Sequence, residues 1–120
     1  MTDKIYDFGY RAPRFPADFR LFLQIDDLHS AFLDARCTDL SEDGLAVESG
    51  ASLQIGTVVT LILTLPGTSI SRRIAARVTN CRVNKYGLAF MFSSQQEQHY
   101  MHEYLDARPS PLVHSPESSG

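Results

Sequence analysis

The sequence contains no apolar run near the roughly 18–20 residues of a membrane-spanning helix, and its opening MTDKIYDFGYR lacks the apolar stretch of a secretory signal. The expected setting is the cytoplasm, with no membrane partner. Cysteine is scarce: Cys37 and Cys81 lie far apart without a CxxC spacing. That usage fits reduced thiols better than a disulfide framework, and one cross-strand bridge is the most the pair permits. Positive charge is in deficit, with 11 Lys+Arg against 14 Asp+Glu and a net of -3, so bulk electrostatics disfavour a polyanion such as nucleic acid. Any anionic ligand must be captured by a local group of cations.

Catalytic signatures are missing as well. There is no Walker loop, no GxGxxG and no HExxH, and Ser, His and Asp occur without a nucleophile elbow. His99 and His102, with Glu103, imitate a metal pair at i, i+3 on a helix, but no third ligand accompanies them and a solvated helix face is the simpler reading. His29 and His114 stand alone. The expectation is a protein without enzymatic activity, metal or cofactor.

What is present is an ordinary globular mixture of 120 residues, 43% hydrophobic and 21% charged, enough for one domain with one core. Residues 1–17 hold no periodicity and read as a flexible N-terminal arm interrupted by Gly9, Pro13 and Pro16. From Arg20 the segment RLFLQI alternates, with Leu21, Leu23 and Ile25 on one side, as a half-buried strand does. A turn at Asp26-Asp27 and a strand over 30–38 complete a hairpin. Further strands are expected at Leu45–Val47, over Thr57–Leu65, over Ile70–Val83 and over Tyr86–Phe92, with turns at Pro66-Gly67 and Asn84-Lys85. In the long Ile70–Val83 strand, Ile74, Ala76 and Val78 share one face, and Arg73, Ala75 and Arg77 the other. Only 94–107 reads as a helix, capped by Ser94 with Glu97 three residues on and carrying an apolar Met101/Leu105 stripe. The division expected is an arm over 1–17, a domain over 18–107 and a Pro- and Ser-rich disordered tail over 108–120.

Two clusters stand apart from this pattern: Tyr10-Arg11-Ala12-Pro13-Arg14 before the first strand, and Asp39-x-Ser41-x-x-Gly44 after the second. Taken alone, the second is a polar β-turn and the first a solvated arm. In this order, with a strand ending in Gly87-Leu88-Ala89-Phe90 and a C-terminal helix, the chain over about 11–106 resembles the PilZ domain family. The resemblance implies a six-stranded antiparallel β-barrel with one C-terminal α-helix. It also implies a receptor for the bacterial second messenger cyclic di-GMP, acting on a protein partner in trans in motility, chemotaxis, biofilm polysaccharide export or sensor-kinase signalling.

The chemistry of these residues suits such a ligand. A planar guanidinium at Arg11 or Arg14 can grip a phosphate or the guanine O6/N7 edge bidentately, or stack on the base. Asp39 can accept from guanine N1–H and N2–H2, Ser41 can donate or accept, and Gly44 permits close backbone approach. Arg77 is a reserve candidate for stacking, and Arg72-Arg73 reads as a charged strand edge. The family's arm motif is RxxxR, whereas here Arg11-x-x-Arg14 is one residue shorter and Tyr10 stands four before Arg14. Two functions follow: a receptor whose arm folds over the ligand, or an adaptor that has lost ligand binding and acts by protein contact alone. A nucleic-acid-binding barrel ranks third, disfavoured by the acidic balance.

Overall fold

The computed structural model describes residues 12–25, 32–107 and 112–113. Strands β1 (Phe15–Ile25), β2 (Phe32–Leu40), β3 (Gly44–Glu48), β4 (Val58–Leu63), β5 (Arg72–Arg82) and β6 (Lys85–Met91) precede the helix α1 (Gln95–Asp106) and a two-residue strand β7 (Leu112–Val113). The hydrogen-bonded order runs β2-β3-β6-β5-β4-β1, and β1 pairs back onto β2, closing a six-stranded antiparallel barrel. Closure depends on the length of β1. Its residues from Phe15 to Gln24 face β2, while Phe22 to Ile25 also face β4.

Period-2 alternation decides what enters the barrel. Leu21 and Leu23 of β1, Val59, Leu61 and Leu63 of β4, and Ile74, Ala76 and Val78 of β5 are all buried. At ~1.5–3 kcal/mol for each fully buried large aliphatic side chain, this one cluster supplies the main driving force for folding. Helix α1 adds Met101 and Leu105 to the same cluster. Its Ser94 cap accepts from the Glu97 N–H at 3.1 Å. The Glu97 carboxylate reaches back to the Ser93 N–H at 2.8 Å, one residue earlier than a capping box requires.

Several boundaries differ from the sequence reading. Strand β1 begins at Phe15, five residues before Arg20, because barrel closure gives Phe15 and Pro16 partners in Leu40 and Asp39 that local periodicity does not reveal. The β5–β6 turn is Val83-Asn84, not Asn84-Lys85. Arg72 and Arg73 do not form a uniform charged edge: Arg73 donates to Gln24, whereas the Arg72 guanidinium lies 3.5 Å from the Tyr100 ring centre, a cation–π contact that holds the helix. Within the expected tail, Leu112–Val113 pairs in parallel with Ala17 and Asp18. The expected Asp26-Asp27 turn and most of the tail lie outside the described residues. Neither cysteine is bridged: Cys37 is buried and Cys81 exposed.

Val83 takes a φ of 54° and is 93% exposed, so a β-branched residue sits in a left-handed conformation with no packing in return. Val83→Gly is expected to stabilise the protein by ~1 kcal/mol, strain relief outweighing the added chain entropy. The measurement is a denaturant titration, in which the midpoint should rise with an unchanged slope.

Candidate functional site

Three β-bulges converge at one end of the barrel. Register slips occur between Pro16 and Phe19 on β1, between Cys37 and Asp39 on β2, and between Val78 and Asn80 on β5. A bulge inserts a residue and re-aims the chain beyond it. Here the inserted Thr38 and Thr79 each donate a hydroxyl hydrogen to the strand opposite, to the Ala46 carbonyl at 3.5 Å and the Gly87 carbonyl at 3.2 Å. Asp39 and Asn80, the residues directly after the bulged threonines, are thereby set at the same end of the barrel.

Between β2 and β3 the chain turns through Ser41–Asp43. The Ser41 N–H donates to the Gly44 carbonyl at 2.8 Å, and its hydroxyl donates to Asp43 Oδ1 at 2.7 Å with the Gly44 carbonyl oxygen 3.2 Å away. Ser41 is buried, so its hydroxyl is spent inside the turn. Gly44 then enters β3 pressed against β6, where an added Cβ would stand 2.2 Å from the Leu88 carbonyl oxygen. Only glycine permits that approach.

Arg14 reaches from the arm to Asp39, with Nη2 3.2 Å from Oδ1. The pair is half-exposed on the arginine side, so it contributes at most ~1 kcal/mol and is easily opened. Asp39 Oδ1 is nevertheless buried and receives no well-aligned hydrogen bond, leaving it poised for a better donor. Beside this pair lies a cavity of about 450 Å3 whose lining includes Arg14, Asp43, Gly44, Asn80, Gly87 and Ala89, within the usual range for small-ligand sites. The Asn80 amide lies over Gly87, where an added Cβ would come within 2.6 Å of it. Arg77 is exposed on β5, cross-strand from Ala89 at the cavity's rim.

Of the residues singled out in the sequence, Arg14, Asp39, Ser41 and Gly44 therefore meet at one end of the barrel. Arg14 and Gly44 line the cavity, Asp39 is tied to Arg14, and Ser41 sits beneath the turn; Arg11 lies outside the described residues. Asp43 and Asn80 line the cavity but went unnoticed in the sequence. The signal for Asp43 was its place inside the turn motif; for Asn80 the sequence offered none, because a bulge aims it. A larger hollow of about 830 Å3 runs along the outer face of α1 between Gln95 and Glu103. It is lined by neither Lys nor Arg, and we place the candidate site in the smaller cavity on that ground.

The turn is also joined to the helix. His102 Nδ1 lies 2.7 Å from Glu42 Oε2, and this hydrogen bond, with the carboxylate's charge, holds the imidazole's pKa above its ordinary value. His99 instead faces Glu103 at 3.5 Å, and among the described residues no group of three side chains is placed to hold a metal ion. Tyr104 donates to the Pro66 carbonyl at 2.6 Å, and partial burial lifts its phenol to about 12. The Cys37 thiol, pushed up by burial, is no nucleophile.

Two outcomes are expected. Gly44→Ala should destabilise the protein by ~1–3 kcal/mol, measured by chemical denaturation, since backbone oxygen cannot move aside as a side chain does. The folded-state pKa of His102 is raised, so the stability drawn from its pairing with Glu42 is complete below the free imidazole value of ~6.5 and fades as pH climbs through the raised value. Denaturation midpoints between pH 6 and pH 8 should therefore fall further for the wild type than for His102→Gln.

No curated protein matches the chain in sequence. Among solved structures, the PilZ domain of CeSA from a cellulose-synthesizing bacterium superposes with a TM-score of 0.63 at 22% identity, covering 78% of this chain and 94% of that one. The PilZ domain of YcgR from Escherichia coli, solved with c-di-GMP, gives a TM-score of 0.65 at 14% identity, covering 82% and 90%. MotI, an inhibitor of motility from Bacillus subtilis, gives 0.57 at 22% identity, covering 83% of this chain and 53% of its own. These likenesses are likenesses of fold. The family model of the PilZ domain matches residues 10–107, which takes in the arm, the bulged barrel end, the turn and the helix together, and the chain belongs to the PilZ domain family.

Proposed function

We propose that the protein is a cytoplasmic, non-enzymatic receptor for cyclic di-GMP that regulates a partner protein in trans. The observation carrying this reading is the 3.2 Å reach of Arg14 from the arm to Asp39 at the edge of the cavity. It joins the two sequence clusters across space and puts a guanidinium where a phosphate or a guanine edge can replace the aspartate. Arg11 and Arg14 grip the ligand from the arm, and the turn bearing Asp39, Ser41 and Gly44 forms the facing wall. Exchanging an exposed ion pair for charge-assisted bonds to a dianion gives the arm a ligand-dependent position. A ligand shifts such an equilibrium by its differential affinity for the two states, so the surface offered to a partner changes with it. The YcgR domain was solved with this nucleotide and MotI is an inhibitor of motility, which favours a motility component over the chemotaxis, biofilm and sensor-kinase partners that the family resemblance also allows.

A second reading is an adaptor that no longer binds the nucleotide. The same ion pair favours it, because Arg14 and Asp39 satisfy one another, and the arm spacing is one residue short of RxxxR.

Calorimetric titration with cyclic di-GMP, beside GTP and cyclic AMP, separates the two. The receptor should bind cyclic di-GMP alone at about micromolar Kd, and Arg14→Ala or Asp39→Ala should weaken it at least ~10-fold. Absence of heat at high micromolar ligand, from protein with an intact thermal transition, would leave the adaptor.

A further inference from the structure

The alternation that fills the barrel also decides what its outer wall presents, and across four strands that wall is partly apolar. Phe22 on β1 is 40% exposed and Phe32 on β2 57%. Cross-strand register arranges the outward side chains of β2, β1, β4 and β5 in two neighbouring rows. The first reads Asp34, Phe22, Ile62, Arg73, and the second Phe32, Gln24, Thr60, Ala75. Exposed aromatic side chains gathered with aliphatic ones on a single face mark an interaction surface. The two ends of the first row carry opposite charge. Asp34 accepts two bonds from Arg20, at 2.9 and 3.1 Å, and its carboxylate keeps further lone pairs for a second donor. Arg73 is exposed and donates to Gln24 at 3.3 Å, and among the described residues no carboxylate pairs with it.

We propose that this wall is the contact face of a homodimer, with a second copy of the chain as its occupant. A twofold axis lying in the interface, parallel to the strands and midway between β1 and β4, lays each row over its own reverse. Phe22 then meets Ile62 of the second copy, Phe32 meets Ala75, and Asp34 meets Arg73. Every contact occurs twice, because the interface is isologous. The apolar pairs fall toward the centre and the ion pairs at the rim, as in other protein interfaces. Charge also fixes the orientation. An axis running across the strands would set Asp34 against Asp34 and Arg73 against Arg73, which like-charge repulsion disfavours. So few side chains per copy make a small interface, of the weak class with a Kd of about 10 μM. The inference is independent of nucleotide binding.

Sedimentation velocity on the full chain tests this. Wild type should pass from monomer to dimer at concentrations around ~10 μM. Asp34→Arg and Arg73→Asp should each raise the dimer Kd at least ~10-fold, because each sets like charges together at both rims. Mixed in equal amounts, the two variants should dimerise again to within ~3-fold of wild type. In the mixed pair the Asp34 of one chain faces the Arg73 of the other, and the two substituted positions carry opposite signs. Both side chains are exposed, so the melting temperatures of the variants should stay near wild type. A wild type that remains monomeric at ~500 μM overturns the proposal and leaves the wall to another occupant. A dimer that both folded variants preserve overturns it too, since the interface then lies elsewhere, and so does a mixture that associates no more tightly than its parts.

Discussion

The arrangement of the candidate site depends on the contact between Gly44 and the Leu88 carbonyl. Strand β3 is only five residues long, and its first residue meets β6 so closely that a methyl group has no room. This approach fixes where the preceding turn ends. Because the turn runs from Ser41 to Asp43 and finishes at Gly44 on β3, this steric constraint helps to locate Ser41 and Asp43 relative to β6. The Ser41 hydroxyl, buried and bonded within the turn, removes the remaining freedom. Rigid backbone lies below the site, and above it an exposed ion pair holds Arg14 only loosely.

Much of the barrel was legible in the sequence because its strands are half-buried and alternate. Ile74, Ala76 and Val78 enter the core as their spacing indicates, and Met101 and Leu105 do so on the helix. The barrel's closure was less visible. Phe15 and Pro16 belong to β1 because β2 lies opposite them, a long-range fact that a proline-broken segment hides. The site was legible only as far as it coincides with short motifs. Arg14, Asp39, Ser41 and Gly44 come together, but the aim of Asp43 and Asn80 depends on a turn's hydrogen bonds and a bulge, which no local pattern encodes.

Turn and helix are directly connected. Glu42 lies between Ser41 and Asp43 in the turn and pairs with His102, while Arg72 stacks on Tyr100 and Tyr104 bonds to the β4–β5 loop at Pro66. Of these three attachments only the first passes through the turn. A change in the turn can therefore reach the helix through Glu42 and His102.

The pairing of Leu112–Val113 with Ala17 and Asp18 has a further bearing on how the molecule behaves in a crowded cell. Strand β1 meets β4 only from Phe22 onward, so its first half presents a row of backbone donors and acceptors on the side away from β2. Such a row is a template on which foreign chain can add as an extra strand. The short parallel segment lies along part of that row. Two residues of the chain's own C-terminal portion thus cover part of the edge on which such an added strand would pair.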